Sequence, residues 1–347
     1  MTHDAPTQDG QPESGRYDKR VPISPLEFLA RRYTLSPRSL RWATTAALVV
    51  SILIVLGGGV VRVTGSGLGC PTWPTCETTS LTPTPALGIH AIIEFSNRMI
   101  TAVLCVAVAW VIIAARLQKP RNRTITRLAW SQFWLVVANA LIGGITVLTA
   151  LNAYIVAFHF IAAMALLTTT TLTWHRVREK PSGHLPPSKA SRTLSYLLVT
   201  STILLIIVGT VVSGSGPHSG DSAEVHRMAF DWVDVTIVHG VLGSITLALA
   251  VALAFTLRAR QFGLARMRTI AFIVVALAQA ALGLTQSLTG LPEALVALHV
   301  VVASLVWVGA LRVLLDVNPG LFPSVHTTRA PETTPEHFPP VNPRITL

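Results

Sequence analysis

An all-α integral membrane protein with eight transmembrane helices is the fold this sequence predicts. Three observations predict it. First, the 347 residues are 51% hydrophobic and only 12% charged, with a mean hydropathy of +0.56, which is too apolar for an ordinary soluble domain. Second, apolar runs such as Thr45–Leu56 and Leu197–Val212 are long and unbroken. A bilayer admits only helices or closed barrels, and runs of this length favour helices. Third, the Lys and Arg residues cluster in alternate connections, as the positive-inside rule expects.

In chain order, residues 1–39 are polar and read as a disordered cytoplasmic tail, with no apolar run near Met1 to suggest a secretory signal. Eight spans follow, at about 40–61, 90–115, 125–149, 152–174, 192–213, 232–257, 267–289 and 291–314. They divide into an N-terminal four-helix half (40–174), a cytoplasmic linker (175–191) and a C-terminal four-helix half (192–315), with a disordered cytoplasmic tail at 316–347. Of the 27 Lys and Arg, all but Arg62, Arg98 and Arg227 fall before the first span, in the second, fourth and sixth connections, or at the C-terminal side. Both termini are therefore expected to be cytoplasmic in a multi-pass cell-membrane protein. The net charge of +11 is then a topology signal. It implies anionic membrane lipid as a partner and no nucleic acid.

The chain repeats itself. Gly143–Leu151 (GGITVLTAL) resembles Gly283–Leu291 (GLTQSLTGL), and the same offset of 140 carries His159 onto His299. Gly65-Ser66-Gly67 resembles Gly214-Ser215-Gly216, and an offset of 142 carries Asn97 onto His239. Four spans per repeat imply two parallel four-helix bundles related by a pseudo-two-fold axis along the membrane normal.

Of the 11 histidines, His3, His175, His184, His326 and His337 fall in tails or inner connections and read as solvated side chains. His218 and His226 fall in an outer connection, and His90 at the outer mouth of span two. His159, His239 and His299 lie inside spans four, six and eight, and Asn97 inside span two. At about 1.5 Å per residue all four sit roughly 10–12 Å below the outer surface. A lone membrane histidine is usually a hydrogen-bonding packing residue. Two at one depth on equivalent helices, His239 and His299, can instead grip a planar tetrapyrrole iron from both sides. A proton relay is the other reading of this pair, and copper or zinc would want a third ligand. In the N-terminal half Asn97 replaces the second imidazole, so His159 would hold a haem from one side.

Glu94 and Arg98 share the apolar span of Asn97. Each ionisable group at a span centre costs at least roughly 2.5–3.5 kcal/mol. At i and i+4 they could form a structural ion pair. Glu94 could instead act as a base or charge stabiliser beside a haem edge. Arg98 could meet a propionate, as could Arg62 and Arg227, for which interfacial anchoring is the plainer reading. The first outer connection, Gly65–Cys76, follows a helix rather than opening one, which argues against a dinucleotide loop. Cys70 and Cys76, on the oxidising side, read as a disulfide, with a redox-active dithiol or a transient metal site as alternatives. Cys105 reads as a buried small side chain, and Trp73 as part of an interfacial belt.

Together the loop G-S-G-L-G-C-P-T-W-P-T-C, the stretch E-F-S-N-R, the run G-G-I-T-V-L-T and G-S-G-P-H-S-G-D (Gly214–Asp221) resemble the haem A synthase family across residues 40–315. The resemblance implies oxidation of the C8 methyl of haem O to the formyl group of haem A, with water-derived oxygen, for cytochrome oxidase assembly. It implies a haem b cofactor on His239 and His299, and substrate haem O at His159 with Asn97 and Arg98 nearby. Glu94 falls on the family's essential acid and Cys70–Cys76 on its outer disulfide. Haem O synthase, a farnesyltransferase, and the oxidase assembly machinery are the implied partners, and self-association is left open. Asn97 departs from the family's E-x-x-H-R, with His90 too far outward to replace the missing imidazole. A non-enzymatic membrane cytochrome b and a haem-handling chaperone are the alternative functions, and neither needs an acid such as Glu94 inside a span.

Overall fold

A computed structural model describes residues 25–179, 187–218, 220–221 and 225–321. Among these residues the secondary structure is helical: α1 (Pro25–Arg32), α2 (Pro37–Val63), α3 (Gly88–Arg116), α4 (Arg123–Leu148), α5 (Ala153–Arg178), α6 (Lys189–Ser215), α7 (Trp232–Thr256), α8 (Gly263–Leu288) and α9 (Glu293–Val317). The eight from α2 to α9 are long and apolar enough to cross a membrane, so the chain is an all-α, multi-pass membrane protein. Local sequence sets several helix starts. Ser36, Asn122, Asn152, Ser188 and Asp231 each cap the helix that follows by accepting a bond from a free N–H of its first turn.

Two expectations are corrected here. Part of the tail expected to be disordered, Pro25–Arg32, is helical and packs on α3. Its Arg31 pairs with Glu27 one turn away, which supports so short a helix. His175 was expected to be solvated, yet α5 continues past it to Arg178, and it is buried with its Nε2 3.8 Å from Asp316. Residues 1–24, 180–186 and 322–347, with His3, His184, His326 and His337, lie outside the described residues.

Helices α2–α5 pack in a ring, α2 on α3, α3 on α4, α4 on α5 and α5 back on α2. Helices α6–α9 do the same, and α2 and α5 of the first ring meet α9 of the second. Apolar cores of Leu104, Val108, Val111 and Leu166 in one ring, and Leu198, Leu253, Phe272 and Val313 in the other, lie toward the end bearing most of the basic residues. Leu167 and Trp307 pack between the rings, where Trp307 Nε1 donates to Thr168 Oγ1 at 2.9 Å. One unusual turn occurs twice. Ala150 and Leu151 between α4 and α5, and Gly290 and Leu291 between α8 and α9, all take positive φ. Leu151 N–H donates to Thr146 O and Leu291 N–H to Gln286 O, both at 2.8 Å. Non-glycine residues seldom adopt this conformation, so its recurrence 140 residues apart gives α5 and α9 the same start.

At the opposite end the connections of the two rings are tied together. Gly67 N–H donates to Gly220 O at 2.8 Å, Ser66 and Asp221 form a β-bridge, and Arg62 reaches across to Ser213 O.

Candidate functional site

The four residues expected at one depth occupy equivalent places, each against a glycine of the preceding helix. A Cβ added to Gly57 of α2 would lie 2.3 Å from Asn97 Oδ1 of α3. On Gly143 of α4 it would lie 2.9 Å from His159 Cε1 of α5. On Gly209 of α6 and Gly283 of α8 it would lie 3.0 and 3.1 Å from the Cε1 atoms of His239 and His299. Glycine lets each polar side chain lie directly on the neighbouring helix, where an added Cβ would make the imidazole or carboxamide shift. In the sequence Gly143 and Gly283 stand out only as the heads of the matching repeat segments, and Gly57 and Gly209 do not stand out at all. Their signal was a glycine inside each even-numbered helix from α2 to α8, at the depth of the polar residue that follows.

In the second ring the His239 and His299 imidazoles face each other with centroids 6.4 Å apart and planes tilted by 52°. Gln279 of α8 donates to His299 O at 3.0 Å and so fixes that turn of α9. The Nδ1 atoms of His159 and His299, and Oδ1 of Asn97, are buried and have no hydrogen-bond partner among the described residues, while His239 lies against the Leu205 backbone. A polar atom left so in an apolar interior is costly. Such an atom recurs at three of the four equivalent positions.

Glu94 sits one turn nearer the loop end than Asn97. It is 6% exposed, and both carboxylate oxygens are bonded: Oε1 to Arg98 Nη2 at 2.6 Å and Oε2 to Cys70 N–H at 2.7 Å. The structural ion pair therefore forms. Arg98 also donates to the carbonyls of Thr72 and Thr75, both at 3.1 Å, and so clamps the loop onto α3. Those contacts engage both terminal nitrogens of Arg98. Arg62 and Arg227 likewise donate to backbone, at Ser213 O and Pro217 O, and Arg62 ties the rings together. His90 is exposed and bonded to Ser66 Oγ at 3.0 Å, so it stays with the loop.

Cys70 and Cys76 are disulfide-bonded and fully buried against Ala91. Gly69 lets the loop touch α3, since a Cβ there would lie 2.4 Å from the His90 backbone. Trp73 does more than the expected belt residue. A Cβ on Gly144 would lie 2.6 Å from its Cδ2, so its indole covers α4 beside Gly143, the residue on which His159 rests. Cys105, expected to be buried, is exposed. The buried face of α3 runs through Leu104, Ala107, Val108 and Val111, which turns Cys105 outward.

These features define a class: a multi-pass membrane protein of two helix rings with polar ligand-type side chains held at matched positions inside them. Residues 40–311 match the COX15-CtaA family, described as cytochrome oxidase assembly protein, and the chain belongs to that family. Relatives named Heme A synthase share its sequence at modest identity. That of Staphylococcus saprophyticus is 26% identical over 214 residues, which is 58% of this chain and 70% of the relative. That of Staphylococcus epidermidis is 28% identical over 209 residues, covering 56% and 68%. That of Lysinibacillus sphaericus is 30% identical over 180 residues, covering 50% and 58%.

Proposed function

We propose that this chain is a haem A synthase. It is an oxidoreductase that converts the C8 methyl of haem O to the formyl group of haem A, for use in cytochrome oxidase. One methyl and one water become one formyl, with release of four electrons and four protons. The observation that carries this reading is the pairing of two unlike sites on one scaffold: His239 opposite His299, and His159 with Asn97 below Glu94.

The His239–His299 pair suits a haem b. Two metal–nitrogen bonds of about 2 Å each would hold imidazole centroids about 6 Å apart, close to the 6.4 Å found. The glycines beneath the rings give both imidazoles room for this arrangement. A haem b held there supplies one-electron redox chemistry. Substrate haem O belongs in the first ring, with His159 as its single protein ligand and Asn97 on the other side. Glu94, held by Cys70 N–H and Arg98, provides a fixed negative charge near that site. It can accept a proton from water or stabilise positive charge developing on the macrocycle substituent. Arg98 positions Glu94 and the loop, and Trp73 shields the loop end of the ring from water.

The reading includes a location and partners. The basic residues gather at one end and the disulfide at the other. That supports a reading with the loop of Cys70–Cys76 outside the cell membrane and both termini in the cytoplasm. A farnesyltransferase making haem O and the cytochrome oxidase assembly machinery are the partners.

The test is pigment extraction from cells expressing this chain with a source of haem O. Haem A or its alcohol precursor should appear. If only haem O and haem b are recovered, the enzyme reading fails and a haem-carrying role takes its place.

A further inference from the structure

At the basic end, the close of α3 and the start of α4 form an open groove of about 870 Å³. Arg116, Arg121, Arg123 and Arg127 line it, with Trp130 and Trp134 along the apolar wall. None of these four arginines makes an ion pair among the described residues. Arg116 Nε is buried without a partner, and Arg116 and Arg121 repel each other. Glu27 of α1 acts on Arg116 electrostatically but does not line the groove. Several other basic residues at this end are engaged. Arg176 pairs with Glu179, Arg268 with Asp316, Arg192 bonds to Asn318, and Arg178 bonds to Thr44 and Thr45. The groove is thus a place where four guanidinium groups converge with no carboxylate in its lining, and Glu27 acts on Arg116 from outside it.

We propose that this groove binds the phosphate headgroup of an anionic phospholipid. Guanidinium forks match phosphate oxygens in pairs, and several together suit a lipid carrying two phosphates better than one. The free N–H groups opening α4 add to the attraction. Trp134, exposed on the lipid side, and Trp130 offer the indole faces that settle at a membrane's interface beside acyl chains. A basic pocket between two spans at the positively charged side is the form such sites take. The proposal stands apart from the haem chemistry, since it uses none of those residues.

The full chain, purified in mild detergent, is stripped of lipid. Native mass spectrometry then follows its adducts with diphosphatidylglycerol, phosphatidylglycerol, phosphatidylcholine or inorganic phosphate. Diphosphatidylglycerol should be retained best and phosphatidylcholine least. In the double variant Arg121→Gln/Arg127→Gln, retention of diphosphatidylglycerol should fall roughly tenfold. The double variant Arg258→Gln/Arg260→Gln removes equal charge from the same end, outside the groove, and should bind as the parent does. Equal retention of phosphatidylcholine by the parent chain would overturn the proposal. So would an unchanged adduct in the groove variant, or equal losses in the two variants. Displacement of the lipid by millimolar inorganic phosphate would make this a free-anion site and overturn the lipid assignment.

Discussion

The two helix rings share a scaffold and differ in what they hold on it. Both place polar side chains at matched positions, each on a glycine of the preceding helix, and both start their last helix from the same positive-φ turn. The second ring completes the pattern with two imidazoles. The first substitutes Asn97 and adds what the second lacks among the described residues: a disulfide loop, a buried carboxylate under it and an indole over α4. A symmetric pair favours permanent retention of a ligand. A one-sided ligand with a charged group close by favours exchange and reaction. On the proposed reading, the second ring holds the cofactor and the first admits the substrate.

The largest expected effect tests that division directly. His299→Ala should abolish the low-spin b-type absorption of the purified protein, because it removes one side of a bis-imidazole site. His159→Ala should leave that absorption intact while ending haem A formation. Optical difference spectra of the two variants, each extracted from equal amounts of protein, decide it. The opposite pattern would exchange the roles of the two rings.

Glu94 comes next. Glu94→Ala removes a buried charge, leaves Arg98 half-paired and frees Cys70 N–H. Breaking a buried pair in this way costs about 3–5 kcal/mol. Glu94→Gln keeps an acceptor for Cys70 N–H and loses the charge together with the acceptor for Arg98. If the charge serves the reaction, both variants should keep the b-type spectrum and both should accumulate haem O or its alcohol. If Glu94 only pins the loop, Gln should produce haem A almost normally and Ala alone should fail. Pigment ratios by liquid chromatography, together with thermal melting of each variant, separate the two.

A smaller effect is expected at the glycines. Gly283→Val sets a branched side chain against His299, and overpacking of this kind costs about 1–3 kcal/mol. Haem b retention through purification should fall roughly tenfold, a loss of that same order. Gly143→Val does the same to His159 and should leave haem b in place while slowing haem A formation. If either valine is silent, the glycines are there for helix approach alone.

The sequence made the spans legible because hydropathy and basic connections act over whole helices and tolerate small errors at the ends. The depth of Asn97, His159, His239 and His299 was legible for a related reason: it needs only residue counting from a span's outer end. Contacts between helices were harder to read. Nothing local to Gly209 says that it will face His239, since the contact depends on how α6 packs on α7. The roles of Trp73 and Arg98 depended on a loop that folds back through a disulfide, so the partners lie far apart in sequence. Cys105 is the exception. The spacing of Leu104, Ala107, Val108 and Val111 already placed it on the other face of α3.

The smallest effect is expected at the loop itself, where redundant contacts blunt any single loss. A cross-link closing so short a stretch stabilises a folded chain by about 2 kcal/mol. Cys76→Ser removes it. Arg98 still holds the Thr72 and Thr75 carbonyls, and Gly69 still lets the loop lie on α3. The variant should therefore melt a few degrees lower, keep its b-type spectrum and lose only part of its haem A output, as Glu94 and Trp73 become less firmly placed. A complete loss of output with unchanged melting would mean that the two sulfurs cycle between thiol and disulfide during turnover. That would make the first ring's loop a redox element, and the contrast between a holding ring and a reacting ring would then extend beyond haem ligation.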